Sequence, residues 1–274
     1  MSSYVPAVPP ADFPEPPAAF TFVRHVAAVA GAEIRKLRHD PLELLTRAIQ
    51  PMLWLVVFGQ VMARLRGVPT GRLPYLDFMA PGILAQSVLF IAIFYGIATI
   101  WERDLGILHK LLVSPATRTA LVLGKALSAG VRALSQAVIV YLLTLLMHIH
   151  VQFHLANIAG VLLLVIMGSA LFSMFSVVMA CLVKTRERFM GIGQILTMPL
   201  FFASNAIYPL SLMPGWLRTI STINPLSYQV DGLRTLMVTG GTSAFGLRLD
   251  FGVLLLGIAV FVALAARLYP RMIT

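Results

Sequence analysis

Long apolar runs alternate along this chain with short polar connectors. The runs at 43–63, 78–100, 122–147, 156–183, 189–208 and 250–269 are each close to the ~20 residues needed to cross roughly 30 Å of hydrocarbon. They predict six membrane spans. Upstream, Phe22, Val23, Val26, Ala30, Ile34 and Leu37 recur at helical spacing, while Arg24, Arg35 and Arg38 fall mostly elsewhere around the helix. That pattern predicts an amphipathic interfacial helix over 20–40. Asp40-Pro41 ends it, with Asp40 placed to cap the next helix and Pro41 to open it. The first 19 residues are proline-rich, carry Asp12 and Glu15, and lack the basic and apolar regions of a signal peptide. They predict a disordered cytosolic tail, because such a segment buries too little apolar surface to offset its ordering entropy.

Two segments break the pattern. The run Glu102 to Lys125 is too polar to cross a bilayer and too apolar to be a solvated linker. With Leu105, Leu108, Leu111 and Leu112 on one helical face and Arg103, His109 and Lys110 elsewhere, it is built to lie at a membrane surface or against another protein. The second, Pro199 to Arg234, is an apolar run interrupted by Pro199, Pro209, Pro214 and Pro225. Broken backbone at membrane depth survives only where it is buried in protein or lines a cavity. Within it, Pro214 to Ile223 predicts a short helix with Leu217, Ile220 and Ile223 inward and Arg218 outward. The plainer alternative is a loop carrying an interfacial aromatic belt.

Composition fixes the solvent. Mean hydropathy is +0.86, with 58% hydrophobic and 12% charged residues, against the roughly one quarter charged of soluble domains. Backbone groups in lipid must be satisfied within the chain, and these runs are too long for barrel strands. The fold class is all-α, a polytopic membrane protein. The net charge of +10 reads as topology signal and not as a nucleic-acid footprint, since the basic residues are scattered and lack interleaved aromatics. With the N-terminus cytosolic, Arg24, Arg35, Lys36, Arg38, Arg103, Lys110, Arg118, Lys125, Lys184, Arg186, Arg188, Arg267 and Arg271 lie inside. Only Arg64, Arg66, Arg72, Arg218, Arg234 and Arg248 lie outside. Both termini are therefore expected in the cytosol.

Candidate chemistry is sparse. The lone cysteine, Cys181, sits in an apolar run and reads as packing. His148, His150 and His154 cluster after the third span without a cysteine or carboxylate beside them, so no metal site is assigned. The acids form no paired cluster of the kind a membrane-embedded transferase needs. The spans hold almost no ionisable groups, Arg132 being the main exception, which disfavours a channel or proton-coupled carrier. No internal repeat is found.

The set Glu102-Arg103, Gly106, Leu111-Leu112, Ser114-Pro115, Arg118 and Gly124-Lys125 resembles the connector of the type-2 permease family of ATP-binding-cassette exporters. Tyr208-Pro209, Met213-Pro214, Trp216-Leu217 and Asn224-Pro225-Leu226 are similar to that family's second signature. The resemblance runs from the interfacial helix to about residue 270, with Ile107 standing where the family often has Thr. It implies a six-span permease that pairs with a second, identical or homologous permease in the cytoplasmic membrane of a prokaryote. Two cytosolic ATPase subunits, carrying ATP and Mg2+, would energise it. The chain itself shows no phosphate loop: Thr119 and Ala126 occupy positions that GxxxxGK[ST] reserves for Gly and Ser or Thr. A transport subunit without its own nucleotide site, and not an enzyme, is expected.

The resemblance also assigns roles. The connector, about 102–120, becomes a coupling helix, with Leu105, Gly106, Leu108, His109 and Lys110 against the ATPase; anchoring at headgroups is the simpler role. Glu102 is expected to pair with Arg35, Lys36 or Arg38. The second and fifth spans face the pathway, placing Gln86, Phe90, Phe94, Gln194, Met198, Phe201, Phe202 and Asn205 along it, unless they merely pack helix on helix. Aromatic and Met walls suit bulky apolar ligands. Tyr208, Pro209, Pro214, Trp216, Asn224 and Pro225 belong to a re-entrant cap over about 203–232. The expected cargo is an amphiphilic drug-like or lipid molecule, with polysaccharide or glycolipid export as the alternative and an ATP-independent secondary transporter more distant.

Overall fold

The computed structural model of the chain describes residues 41–65, 68–71, 73–105, 118–183 and 185–268. The expected tail, the interfacial helix and the connector from Gly106 to position 117 lie outside the described residues. Helix α1 (Pro41–Met52) runs through a π-helical stretch, Leu53–Gly59, into α2 (Gln60–Leu65). The widened ladder starts two residues after Pro51, which has no N–H to give the preceding turn. Then follow α3 (Tyr75–Asp104), α4 (Arg118–Leu146), α5 (Leu155–Leu182) and α6 (Arg186–Phe202). A 3-10 turn at Leu210–Leu212 leads to α7 (Gly215–Ile223), α8 (Pro225–Met237) and α9 (Leu247–Leu268).

The described residues form no strand; an isolated antiparallel bridge joins Val151 to Val238. Among the described residues, five segments are long and apolar enough to cross a membrane: Ala48–Leu65, Tyr75–Trp101, Ala129–Leu146, Leu155–Leu182 and Leu247–Leu268. The chain is thus an all-helical, polytopic membrane protein. The run expected at 189–208 becomes α6, a helix of 17 residues that rises about 25 Å at 1.5 Å per residue.

Helix α3 is the axis of the core. Met79, Ile83, Leu84, Leu89 and Ile93 are fully buried. It runs antiparallel to α6 along the length of that shorter helix, with Asp104 beside Arg186, Ile93 beside Gly193, and Gly82 beside Ala206 just past the end of α6. A Cβ on Gly82 would lie 2.6 Å from the Ala206 carbonyl oxygen, so backbone meets backbone there. Helix α8 is antiparallel to α5 in the same fashion: Leu236 fills the space over Gly160, Leu164 the space over Gly232, and the Gln229 carboxamide the space over Gly168. Lipid supplies no hydrophobic force between helices, and close approach over small residues provides the association instead. The apolar faces left outside, such as Leu53, Val57 and Leu65 on α1 and α2 and Leu255 and Leu256 on α9, suit hydrocarbon.

Candidate functional site

The site is built where α6 stops. The end of the bundle carrying the first turn of α3 is called the upper end here, and the opposite end the lower. At the upper end, the Ser204 hydroxyl donates to the Phe201 carbonyl at 2.7 Å, and the Ala203 N–H to the Pro199 carbonyl at 2.8 Å. Two further carbonyls at this end meet a residue from farther along the chain. Asn224 Nδ2 donates to the Leu200 carbonyl at 2.7 Å and to the Ala203 carbonyl at 3.1 Å. The Oδ1 of the same side chain accepts from the Leu226 N–H at 3.0 Å and so caps α8, with Pro225 opening that helix. One carboxamide therefore ends α6 and begins α8.

With both ends pinned, α7 lies beside the last turns of α6 and encloses an apolar groove of about 690 Å³. Leu196, Pro199, Leu200 and Phe202 line one wall and Trp216, Leu217, Ile220 and Ile223 the other, with Tyr208 and Asn224 among the remaining lining groups. The Tyr208 hydroxyl donates to the Phe202 carbonyl. Leu217, Ile220 and Ile223 share the face the sequence predicts for this short helix, and that face lines the groove. Behind the groove, Trp54 meets Phe201 edge-on at 5.3 Å and Phe202 at 6.3 Å, joining the π-helical stretch to α6. The lining offers hydrocarbon and aromatic surface. Its polar side-chain groups are the Tyr208 hydroxyl, the Trp216 indole N–H and the Asn224 carboxamide, and the remaining apolar wall suits an apolar occupant.

The structure distributes the expected pathway residues over three environments. Gln86, Phe201 and Asn205 are buried inside the chain. Phe90 and Phe94 stack at 6.0 Å and are half-buried, as is Met198. Gln194 and Phe202 face outward on α6. Phe94 lies against Gly193, so α3 and α6 bring part of the set together, while only Phe202 and the nearby Leu196, Pro199 and Leu200 reach the groove. Of the expected cap residues, Tyr208, Trp216, Asn224 and Pro225 line the groove; Pro209 and Pro214 precede the 3-10 turn and α7.

Two charged residues of α8 lie buried, and for Arg234 this differs from the outer-side position expected of it. Arg234, counted among loop charges, is buried in α8, where it donates to the Phe78 carbonyl at 3.2 Å and the Asn205 carbonyl at 2.6 Å and stacks on the Phe78 ring at 3.8 Å. Asp231 accepts from Ser243 Oγ at 2.6 Å and from the N–H groups of Ala244 and Phe245, holding the loop that leads into α9. Both contacts are long-range, with no signature in spacing. Among the histidines, His150 Nδ1 lies 2.9 Å from Asp77 Oδ2. The described residues contain no group of three or more His, Cys, Asp or Glu able to hold a metal.

At the lower end, α3 finishes in Arg103, Asp104 and the exposed Leu105. Asp104 Oδ2 accepts from Arg186 Nε at 3.1 Å and Nη2 at 2.8 Å, while its Oδ1 accepts from Arg103. Arg186 also lies over the Trp101 ring at 3.9 Å from its centroid. Arg103 Nη1 reaches the Val183 carbonyl at the end of α5 at 3.4 Å. Partial desolvation raises the Asp104 pKa, but the hydrogen bonds and charges of Arg186 and Arg103 outweigh it and hold the carboxyl below its usual value. Of the other expected coupling groups, Gly106, Leu108, His109 and Lys110 lie outside the described residues, as do Arg35, Lys36, Arg38 and the side chain of Glu102.

A polytopic helical bundle with an apolar groove is a scaffold suited to a membrane transport subunit. Residues 24–238 match the family described as ABC-2 type transporter, and the chain belongs to it. It is 29% identical over 224 residues to a putative transport permease ycf38 of Cyanophora paradoxa, covering 79% of this chain and 75% of that one. It is 26% identical over 259 residues to the daunorubicin resistance ABC transporter permease protein DrrB1 of Streptomyces coeruleorubidus, covering 93% and 89%. The inner membrane transport permease YadH of Escherichia coli K12 is 24% identical over 234 residues, covering 83% and 87%.

Proposed function

We propose that the chain is the permease subunit of an ATP-driven exporter that moves an amphiphilic drug-like or lipid molecule out across the cytoplasmic membrane. The observation that carries this reading is the groove between α6 and α7, a hydrocarbon and aromatic slot in a chain of the ABC-2 type family. Helix α6 acts as a sixth span, short because the chain returns through α7 and α8 as a re-entrant hairpin. Two permeases, identical or homologous, face each other, with the pathway bordered by α3 and α6 of each. The upper end is extracellular and the lower cytosolic, with both chain termini in the cytosol. Two separate ATPase subunits carry ATP and Mg2+ and dock on the connector through Leu105, Gly106, Leu108, His109 and Lys110, while Glu102 pairs with Arg35, Lys36 or Arg38.

Closure of the ATPases pushes the connectors and shifts the bundles between an inward-open and an outward-open arrangement. Cargo biases that equilibrium only by binding the two states differently. The DrrB1 relative supports a drug-like cargo by its name. The apolar groove favours an amphiphile over a polysaccharide, whose hydroxyls need hydrogen-bonding walls.

The test is reconstitution of the full chain with its ATPase in proteoliposomes, following daunorubicin and, separately, a fluorescent phospholipid. ATP-dependent movement of either supports the reading and tells the two cargo classes apart. Movement that continues without ATP hydrolysis, or that is abolished by dissipating a proton gradient with ATP intact, overturns it in favour of a secondary transporter.

A further inference from the structure

We infer that Asp104 and Arg186 form a positioning clasp that passes motion of the connector into α6; this rests on the permease reading above. Both residues sit on the locally unfavourable end of their own helix. Asp104 occupies the last turn of α3, where the helix dipole disfavours an anion, and Arg186 is the first residue of α6, where it disfavours a cation. Local preference would reverse them. The N-terminus of α6 is otherwise conventional, with the Thr185 side chain accepting from the Arg188 N–H and Glu187 in the first turn. The pair is therefore explained by the contact between helices and not by either helix alone.

Stability does not explain it either. Side chains of Asp104 and Arg186 are 37% and 33% exposed, and ion pairs that solvated contribute little to folding. What the arrangement supplies is geometry. The paired Nε and Nη2 bonds to one carboxylate oxygen, together with the Trp101 ring under the guanidinium, fix Arg186 in direction as well as distance. Trp101 and Asp104 are three residues apart and share a face of α3, so the socket belongs to a single helical turn. Arg103 adds the end of α5, so the last turn of α3 grips both sides of the short α5–α6 connection.

Position gives the clasp its role. The chain leaves α3 for the connector one residue after Asp104, and Arg186 opens the helix whose far end carries the groove. A push on the connector reaches the first turn of α6 through this pair, and α6 carries it about 25 Å along its 17 residues. Asp104 and Arg186 are positioning residues that touch neither cargo nor nucleotide.

The test uses the full chain co-expressed with its ATPase and reconstituted, with a fluorescent phospholipid or daunorubicin as probe. Asp104→Asn and Arg186→Gln are expected to co-purify with the ATPase and to hydrolyse ATP within about twofold of wild type. Probe movement per ATP is expected to fall about tenfold in each, and the double variant to be no worse than either single one, since both remove the same coupling. Asp104→Glu should recover most of the loss. Effects that multiply in the double variant, unchanged movement in both single variants, or parallel loss of hydrolysis and co-purification would overturn the clasp. A second measurement needs no cargo: spin labels at the half-buried Ile91→Cys on α3 and at Arg188→Cys on α6, with Cys181→Ser. A narrow distance distribution with and without trapped nucleotide, broadened by Asp104→Asn, is expected; a broad one in the parent overturns the inference. Failure of the wild-type chain to bind any ATPase or move either probe would count instead against the permease reading.

Discussion

Asn224 donates to the Ala203 carbonyl at 3.1 Å across 21 residues of chain, and with its Oδ1 it caps the helix that begins at Pro225. The two roles are separable by substitution. Asn224→Asp keeps the acceptor for the Leu226 N–H but sets a carboxylate against the carbonyls of Leu200 and Ala203. Asn224→Leu removes both roles. The cap alone contributes about 1 kcal/mol, and stranding buried carbonyls costs about 1–3 kcal/mol more. Both variants are expected to lower the unfolding temperature in detergent, with Asn224→Leu at least as damaging as Asn224→Asp and Asn224→Ser intermediate between Asn224→Leu and wild type. Thermal unfolding of the purified chain checks the order; an Asn224→Leu variant as stable as wild type would remove the shared cap from the account.

Local period made much of the bundle legible. The runs expected at 78–100, 156–183 and 250–269 appear as Tyr75–Asp104, Leu155–Leu182 and Leu247–Leu268, because continuous apolar length alone specifies such helices. The apolar run at 189–208 extends past the helix that forms, Arg186–Phe202. Its apolar composition continues past Phe202, but the helix stops where Asn224 meets its last carbonyls, and nothing in a local window announces a partner 24 residues away. The short helix at Gly215–Ile223 was visible from its Pro214 start and its Leu217, Ile220 and Ile223 spacing. The groove it forms depends on where α6 ends, and so was not. Asp104 and Arg186 are 82 residues apart, and only their placement on the wrong ends of their helices hints at a shared purpose.

Adjacent phenylalanines on α6 separate packing from pathway. Phe201 is fully buried and edge-on to Trp54, so Phe201→Ala leaves a cavity, a loss of about 3–5 kcal/mol. Phe202 is 43% exposed and lines the groove, so truncation there removes less buried contact and more of the proposed binding surface. Phe202→Ala is expected to leave expression and size-exclusion behaviour near wild type while changing the preference between daunorubicin and a fluorescent phospholipid several-fold. Phe90→Ala, at the half-buried stack with Phe94, should shift preference in the same assay. Equal loss of folded protein in the Phe201 and Phe202 variants would contradict the assignment.

Two glycines should respond oppositely to the same methyl group. A Cβ on Gly168 would overlap the Gln229 carboxamide, forcing α5 from α8, whereas a Cβ on Gly252 would meet nothing within 4 Å. Gly168→Ala is expected to destabilise by about 1–3 kcal/mol as overpacking. Gly252→Ala, on α9, is expected to be neutral or to stabilise by up to about 1 kcal/mol through helix propensity. Parallel thermal unfolding curves in one detergent decide this, and a reversed order would contradict the close α5–α8 contact.

The depressed pKa of Asp104 sets the acid limit of the lower end. Because the folded value lies below the ordinary carboxylate value, the pair contributes fully at pH above that ordinary value and is lost as pH falls through the lower, folded one. Above the ordinary carboxylate range the Asp104 carboxyl stays ionised, and the contact should be kept. Trp101 reports the state of the contact, since Arg186 rests on its ring. In a Trp54→Phe, Trp216→Phe background it is the remaining tryptophan. Its emission is expected to hold constant from neutral pH down to the ordinary carboxylate range and to change only below that range, as Asp104 protonates and Arg186 is released. Asp104→Asn should show the acid-form emission already at pH 7, while Glu187→Gln, one residue from Arg186, should leave the profile in place. A transition centred near pH 6, or a profile unaltered by Asp104→Asn, would show that the ring senses some other group.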